Sequence, residues 1–299
     1  MNLKQLMVKL NQVSSLYLGK IMYALFLMSI METLASFALL SPVMRLLSNG
    51  ANPLVVKAET FLLAFFAICV WLSFQFGFAI MLLKMTRREY TNLGFLFIGF
   101  RRLNPAGKVI GAFGGLIAIL SLVARFVTKF IFYKINPDFS FDKIDLSALQ
   151  NADQIAGQPE LLSSVAVDML TLVGIFLGVL FVLGLFVLIR FVFVFQLHFD
   201  NPSMSLLQLF KKSNLMMRKN VFRLILFALR AGGKQLFIAV FLAVIVNFIP
   251  ESKTSGLSVL VFIIDMIYFI NMYTAMVRIY LTVPVMYEEI LHPKLEIEA

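Results

Sequence analysis

The stretch TLVGIFLGVLFVLGLFVLI, Thr171–Ile189, contains no charged residue and decides the class of fold. An α-helix of about 20 apolar residues, rising 1.5 Å per residue, crosses the roughly 30 Å hydrocarbon core of a bilayer. A membrane β-barrel would instead show segments of about ten residues with alternating polarity, and the sequence has no such pattern. The stretch therefore predicts a transmembrane helix.

The whole chain has the composition of a membrane protein. Of its 299 residues, 61% are hydrophobic and 14% are charged, whereas soluble domains are about 45–50% apolar and about 25% charged. The formal net charge is +10, which in a soluble protein would suggest nucleic-acid binding. Enrichment of Lys and Arg in cytoplasmic loops explains the charge better, so nucleic acid is not an expected partner.

Apolar runs long enough to span a bilayer recur along the chain. They lie at about 21–44, 58–83, 109–128, 164–197, 221–248 and 257–286. Hydrocarbon cannot satisfy backbone hydrogen bonds, so each span must be helical. We predict an all-α polytopic membrane protein with six transmembrane helices in a single transmembrane domain.

The distribution of charge predicts how the chain is oriented. Basic residues concentrate at the N-terminus and after the second and fourth spans, whereas the charged residues among 134–163 are mainly acidic. Because Lys and Arg are retained on the cytoplasmic side, we expect both termini in the cytoplasm. Residues 1–20 are then an amphipathic cytoplasmic segment, residues 287–299 a cytoplasmic tail, and residues 134–163 an extracytoplasmic loop.

Two basic segments have the pattern of amphipathic helices that lie in the membrane interface. The first is Tyr90–Arg102. The second begins with Asp200-Asn-Pro-Ser, in which a capping residue followed by proline is typical of a helix start. It would place Leu206, Phe210 and Met217 on one apolar stripe. Both segments follow a Phe-rich span and precede another span, as a weak parallel internal repeat would require; coincidence between two basic loops is the alternative.

Some short stretches also carry a family resemblance. They are Phe199-Asp-Asn-Pro202 with Ser205, Ser213, Met216-Met217, Lys219-Asn220 and Phe222; Ile98-Gly-Phe-Arg-Arg102; and Val283-Pro-Val-Met-Tyr287 followed by Glu288. Together they resemble a bacterial membrane family catalogued as domain of unknown function 975. The chain departs from that family in the fifth span, where it has Ala231-Gly-Gly-Lys234 in place of Gly-Trp. The resemblance implies a six-span protein of the bacterial inner membrane and implies no activity.

Charged residues inside the predicted spans are candidates for a substrate-binding site. A charge near the bilayer centre costs roughly 2.5–3.5 kcal/mol, so it normally faces protein or water. The rise per residue puts Glu32, Lys234 and Asp265 at similar depths, and Arg230 shares a helix face with Lys234. They could form a midplane site of a transporter or a structural ion-pair cluster, and energy alone does not separate these interpretations.

A second candidate group lies nearer the cytoplasm. Arg190, Arg223 and Arg278 could form a pocket for an anionic lipid headgroup. The alternative is that their side chains simply extend to the interface from the ends of spans.

The sequence contains no recognised catalytic motif. It lacks H-E-x-x-H and a P-loop, and its one cysteine, Cys69, excludes an intrachain disulfide and a cysteine-based metal site. We therefore expect no enzymatic activity, no cofactor and no bound metal. The leading hypothesis is transport or lipid handling of an anionic or amphipathic substrate. The alternative is a scaffold or regulator that binds a protein partner through its basic cytoplasmic face, with homo-oligomers also possible.

Overall fold

The computed structural model describes residues 3–48, 53–101, 103–135, 159–248 and 255–292. Within these ranges, side chains are described except those of residues 32, 35–48, 53–61, 103–105, 159–170, 186, 246–248 and 255–260. The described backbone is helical and contains no strand. The predicted all-α class is confirmed.

The described part of the chain is built from α-helices and 3-10 turns. The α-helices are α1 (Leu3–Ser48), α2 (Pro53–Thr86), α3 (Ile98–Arg101), α4 (Leu103–Ile135), α5 (Pro159–Leu188), α6 (Val194–Asp200), α7 (Leu206–Arg218), α8 (Val221–Phe248) and α9 (Ser255–Leu291). A 3-10 turn at Leu93–Phe97 precedes α3, and another at Ile189–Phe191 precedes α6.

Six stretches of the described helices are long and apolar enough to cross a bilayer. They are Leu3–Met31, Leu62–Thr86, Ala106–Ile135, Thr171–Asp200, Val221–Ile245 and Val261–Leu291. Their number and order agree with the predicted runs, and the fourth continues from α5 through the 3-10 turn into α6. The chain is therefore a multi-pass membrane protein.

The first helix differs most from its predicted extent. No break separates a cytoplasmic N-terminal segment from the first span, because α1 is continuous. Leu6, Leu10 and Val13 are buried, and their spacing places them on one face of a helix. They join the same core as Phe78 of α2 and Leu281 of α9. The amphipathic pattern of the N-terminal segment thus reflects packing within the helical bundle.

The chain divides into two compact units. The first comprises residues 1–114 and 190–299, and the second comprises residues 115–189. In the first unit, α1, α2, α8 and α9 share one hydrophobic core, and α8 packs most extensively on α9. The second unit contains the part of α4 from Gly115 onward and all of α5. The residues that form the candidate site belong to the first unit.

The first basic segment packs tightly on α2. Gly99 is buried, and a Cβ atom added to it would lie 2.5 Å from the carbonyl oxygen of Ser73. A Cβ atom on Gly77 would overlap the carbonyl oxygens of Phe95 and Leu96. Only glycine lets two backbones approach this closely. Where an interfacial helix was predicted, the chain forms a 3-10 turn and a short α-helix that pack against α2.

The second basic segment forms α7, which starts later than predicted. Ser205 is the N-cap, and its hydroxyl accepts a hydrogen bond from the amide of Gln208 at 3.4 Å. The side chain of Gln208 accepts in return from the amide of Ser205 at 3.1 Å. This reciprocal pair is a capping box. The predicted capping residue, Asp200, instead ends α6.

The buried stripe of α7 also differs from the predicted one. It consists of Leu209, Ser213 and Met217, whereas Leu206 and Phe210 are only half-buried. Compared with the prediction, α7 is rotated about its axis, so that the face with Leu209, Ser213 and Met217 packs on the protein. The two basic segments consequently have different local structures.

Two predicted terminal and loop regions fall partly outside the described residues. Residues 136–158, which make up most of the predicted acidic loop, are among them, as are residues 293–299. The start of the predicted cytoplasmic tail is helical, because α9 continues to Leu291.

Candidate functional site

A network of polar side chains joins the C-terminal ends of three helices, and we call it the Arg87 hub. Arg87 directly follows α2, and Asp200 is the last residue of α6. Tyr287 and Glu288 lie near the end of α9. All of them belong to the first unit.

The Arg87 guanidinium pairs with both carboxylates of the hub. Its Nη1 and Nη2 donate to Oδ1 and Oδ2 of Asp200 at 2.8 and 2.7 Å, and its Nε donates to Oε1 of Glu288 at 2.8 Å. The Tyr287 hydroxyl adds a hydrogen bond to Oδ2 of Asp200 at 2.8 Å. Bidentate charge-assisted pairs of this kind are stronger and more directional than neutral hydrogen bonds.

The direction of Arg87 follows from the way α2 ends. The amides of Arg88 and Glu89 donate to the carbonyls of Met85 and Lys84 at 3.0 and 2.9 Å, the pattern of a Schellman motif. This motif holds Arg88 at a φ of 59°, a left-handed conformation that normally favours glycine. For a residue with a Cβ atom this costs about 1 kcal/mol. The reversal turns the chain at Arg87, whose side chain reaches the ends of α6 and α9.

Lys84 reinforces the same turn. Its ammonium lies 2.5 Å from Oε2 of Glu89. It also lies over the rings of Phe95 and Phe199, at 5.4 and 5.8 Å from their centroids. Cation–π contacts of this kind are favourable when the ammonium is partly desolvated. The end of α2 is thus held to the following turn and to α6.

Pairing determines the charge state of the hub. The hydrogen bonds to Asp200 raise the pKa of the Arg87 guanidinium, Glu288 raises it further, and partial burial opposes them. The guanidinium therefore remains charged at every working pH. The exposed fractions of the Arg87, Asp200 and Glu288 side chains are only 20%, 18% and 12%. Because these charges already pair with one another, the arrangement suits a structural link between three helix ends better than a catalytic centre.

A groove of about 580 Å³ is lined in part by the residues that follow Asp200 in the chain. Its walls come from α4, α6, α7 and the connection that follows Asp200. The polar lining residues are Lys108, His198, Ser203 and Ser205, and the apolar ones include Val109, Leu206 and Leu209. Among the described lining residues, the Lys108 cation beside apolar walls suits a ligand that is anionic at one end and apolar at the other.

A smaller cavity of about 30 Å³ shares two residues with the groove. His198 and Pro202 line both spaces. The remaining walls of the smaller cavity include Phe76, Ile80 and Ala106, which are apolar. The apolar character of the groove therefore continues inward past His198.

The predicted mid-depth residues Arg230 and Lys234 lie on an exposed face of α8. Leu229 and Phe237 of the same helix are 59% and 72% exposed, and both cations are exposed with them. In a membrane span such a face meets lipid, water or another protein surface. The structure thus places the two cations outside the core that joins α8 to α9.

The structure does not join the described mid-depth residues by charge pairing. Among described side chains, no ion pair or hydrogen bond links Lys234 to Asp265. Gly232, beside Lys234, packs against Ala275 of α9, which lies about 15 Å along the helix from Asp265 at 1.5 Å per residue. The side chain of Glu32 lies outside the described residues.

The predicted inner arginines occupy three different elements. Arg190 lies in a 3-10 turn and is exposed. Arg223 lies in the first turn of α8 and is half-buried. Nη2 of Arg278 donates to Oδ1 of Asn11 at 2.7 Å, so this guanidinium is held by α1. The predicted headgroup pocket at these residues stays a prediction.

Sequence reasoning missed the hub. From sequence, Asp200 is a candidate helix cap, Arg87 is one of the basic residues that follow the second span, and Tyr287 and Glu288 begin the predicted tail. One signal was present, because two of the stretches that resemble the bacterial family contain Asp200 and Tyr287–Glu288. The structure brings those two stretches into direct contact.

No family model, curated protein or solved structure matches the chain. A function for the chain therefore has to be inferred from its own geometry.

Proposed function

We propose that the protein handles lipids and binds an anionic, amphipathic molecule in the groove beside Lys108. The observation that carries this proposal is the mixed lining of the groove, in which the Lys108 ammonium lies among hydroxyl and apolar groups of the described residues. Lys108 would pair with the anionic group of the ligand, and a charge-assisted hydrogen bond is about twice as strong as a neutral one. Val109, Leu206 and Leu209 would contact its apolar part.

The position of the groove along the spans supports a ligand drawn from the membrane. Lys108 lies near the start of the span Ala106–Ile135, and His198 lies near the end of the span Thr171–Asp200. The ends of spans lie at the polar headgroup region of a bilayer. A lipid could therefore present its phosphate to Lys108 while its chains remain in the apolar layer.

The hub would serve this site as a fixed support. Asp200 is held by Arg87 and Tyr287, and the connection that begins directly after Asp200 forms one wall of the groove. A wall anchored at one end by a charged network keeps its shape when the ligand binds or leaves. Preorganisation of this kind lowers the entropic cost of binding.

We further propose that the groove lies at the cytoplasmic face of a bacterial inner membrane. The basic segments on either side of the groove favour the cytoplasmic face. With an even number of spans, both termini would lie on that side. The resemblance to domain of unknown function 975 favours the bacterial inner membrane.

Transport is the second candidate, and one observation favours it. Arg230 and Lys234 lie on an exposed face of α8 within a membrane span. Such cations are costly in hydrocarbon and often mark a pathway that contains water or substrate. A transported anionic lipid would use the groove as an entry site and this face as part of its path.

Lipid binding to the purified full-length chain tests the proposal. Native mass spectrometry would compare phosphatidylglycerol with phosphatidylcholine on the wild type, on Lys108→Gln and on Arg101→Gln, a matched loss of an exposed cation outside the groove. We expect Lys108→Gln to weaken phosphatidylglycerol binding about tenfold, equivalent to about 1.4 kcal/mol. Equal effects of the two substitutions, or no preference for phosphatidylglycerol, would refute the groove as the site and favour the scaffold alternative.

A further inference from the structure

The outward face of α7 combines cations with exposed leucines. Leu207 is 80% exposed and Leu215 is 59% exposed. Lys211 lies between them and is also exposed, and residues four apart on a helix are neighbours on its surface. Arg218 and Lys219, both exposed, continue the face at the end of the helix. We call these five residues the α7 outer stripe.

The opposite face holds α7 firmly to the protein. The Ser213 hydroxyl donates to the carbonyl of Arg190 at 3.0 Å. The Phe210 ring packs on those of Phe113 and Phe191, with centroids 5.3 and 5.0 Å apart. The capping box at Ser205 closes the N-terminus. The outer stripe therefore points outward in a fixed orientation.

The apolar part of the stripe continues into a membrane span. Phe222, in the first turn of α8, is 73% exposed, and Leu226 and Leu229 follow at 42% and 59%. Their spacing of three or four residues puts them on one side of α8. Arg218 and Lys219 lie where α7 passes into α8. The stripe thus lies where the exposed apolar surface of a candidate membrane span begins.

The charge of this region has one sign. No Asp or Glu occurs between Asn201 and Arg223. Side chains of Lys and Arg extend from an interfacial helix toward lipid phosphates, while neighbouring leucines enter the acyl layer. Leu207 and Leu215 add exposed apolar area to this basic face. An anionic lipid complements both, with its headgroup at the cations and its acyl chains at the leucines.

We propose that the α7 outer stripe is a binding surface for the anionic headgroup layer of the surrounding bilayer. The stripe is separate from the groove and does not depend on the groove being a ligand site. Since α7 also supplies Leu206 and Leu209 to the wall of the groove, the composition of the leaflet would act directly on the helix that shapes that wall.

A fluorescent probe on the stripe tests this proposal. The full chain would carry Cys69→Ser, which removes its one cysteine, and Leu215→Cys labelled with bimane. Reconstitution in brominated phosphatidylcholine, with or without phosphatidylglycerol, measures insertion because bromine quenches the probe. We expect about twofold stronger quenching with phosphatidylglycerol and loss of that difference in about 1 M salt, where the Debye length is about 3 Å.

Matched substitutions separate the stripe from the groove. Lys211→Gln, Arg218→Gln and Lys219→Gln together should abolish the difference between the lipids, whereas Arg101→Gln should preserve it. Lys108→Gln should also preserve it, so failure of the groove leaves this result unchanged. A second probe, Leu215→Trp in a Trp71→Phe background, reports on the same face if the cysteine-free chain does not fold. Equal quenching in both bilayers would overturn the proposal and leave the face to a protein partner.

Discussion

The Arg87 hub and the exposed face of α8 differ in whether their charged side chains are paired. At the hub, Arg87 is paired with Asp200 and Glu288 from two other helices. On α8, Arg230 and Lys234 are exposed and make no ion pair or hydrogen bond among described residues. Pairing ties the first set to the described packing of three helices. The second set contributes little to the described packing and is available to a ligand, water or another surface.

Removal of Asp200 is the strongest test of this comparison. Asp200→Ala leaves the Arg87 guanidinium without its bidentate partner and Tyr287 without its acceptor. Breaking one side of a largely buried pair should cost about 2–4 kcal/mol. Thermal unfolding of the purified chain in detergent measures the loss. The matched change Asp265→Ala, at a site with no described ion pair, should cost less than about 0.5 kcal/mol; similar losses at both sites would end the distinction.

Close backbone packing beside α2 provides a second test. Gly99→Ala should cost about 1–3 kcal/mol, because the new Cβ atom overlaps the carbonyl oxygen of Ser73 and forces a backbone shift. Gly107→Ala is the control, since a Cβ atom there has no neighbour within 4 Å. It should stabilise α4 by about 0.5–1 kcal/mol through helix propensity. Chemical unfolding should show changes of opposite sign in the free energy of unfolding of the two variants. No loss of stability in Gly99→Ala would mean that the two backbones can move apart at little cost.

The left-handed residue at the end of α2 predicts a smaller effect of opposite sign. Arg88→Gly should stabilise the protein by about 0.5 kcal/mol, because glycine adopts a φ of 59° without steric strain but loses more backbone entropy on folding. Asn92→Gly is the comparison, as Asn92 has a φ of −130° and gains nothing from glycine. Thermal unfolding compares the two variants. If Arg88→Gly destabilised the protein, the Arg88 side chain would make a contact that stabilises the fold by more than the backbone strain costs.

Lys234→Met should have the smallest effect on stability. With no described partner to lose, the change should alter the free energy of unfolding by less than about 0.5 kcal/mol. Unfolding and lipid-binding measurements on one preparation separate the interpretations. Reduced lipid handling with normal folding would support a functional cation. A clear loss of stability, rescued by neutralising Glu32 or Asp265 as well, would instead identify a structural ion pair. Lys234 would then be a paired charge, as Arg87 is.

The capping residue of α7 illustrates a limit of prediction from sequence. Asp200-Asn-Pro-Ser and Ser205 both have the chemistry of a helix start. The choice depends on where the Asp200 carboxylate finds its donors. Arg87 and Tyr287 supply those donors from positions remote in sequence, so Ser205 becomes the cap. A local pattern cannot contain that information.

The charged residues show the same limit on a larger scale. Depth along a span could be estimated for Glu32, Lys234 and Asp265, because the rise of a helix is constant. The direction of each side chain could not, because it depends on how neighbouring helices rotate against each other. Estimated depth alone suggested a cluster; of its members, Lys234 and Asp265 have described side chains, and these share no ion pair or hydrogen bond.

By itself, the sequence determined that this protein is helical, crosses the membrane repeatedly and has strongly basic segments between its spans. Each of these properties belongs to one segment, because transfer of about 20 apolar residues into a bilayer does not depend on the rest of the chain. Only the tertiary structure decided that Asp200 pairs with Arg87, that Lys108 lines a groove and that α7 turns Leu207 and Leu215 outward. Those outcomes depend on distances and rotations between helices, which the order of residues along the chain does not state.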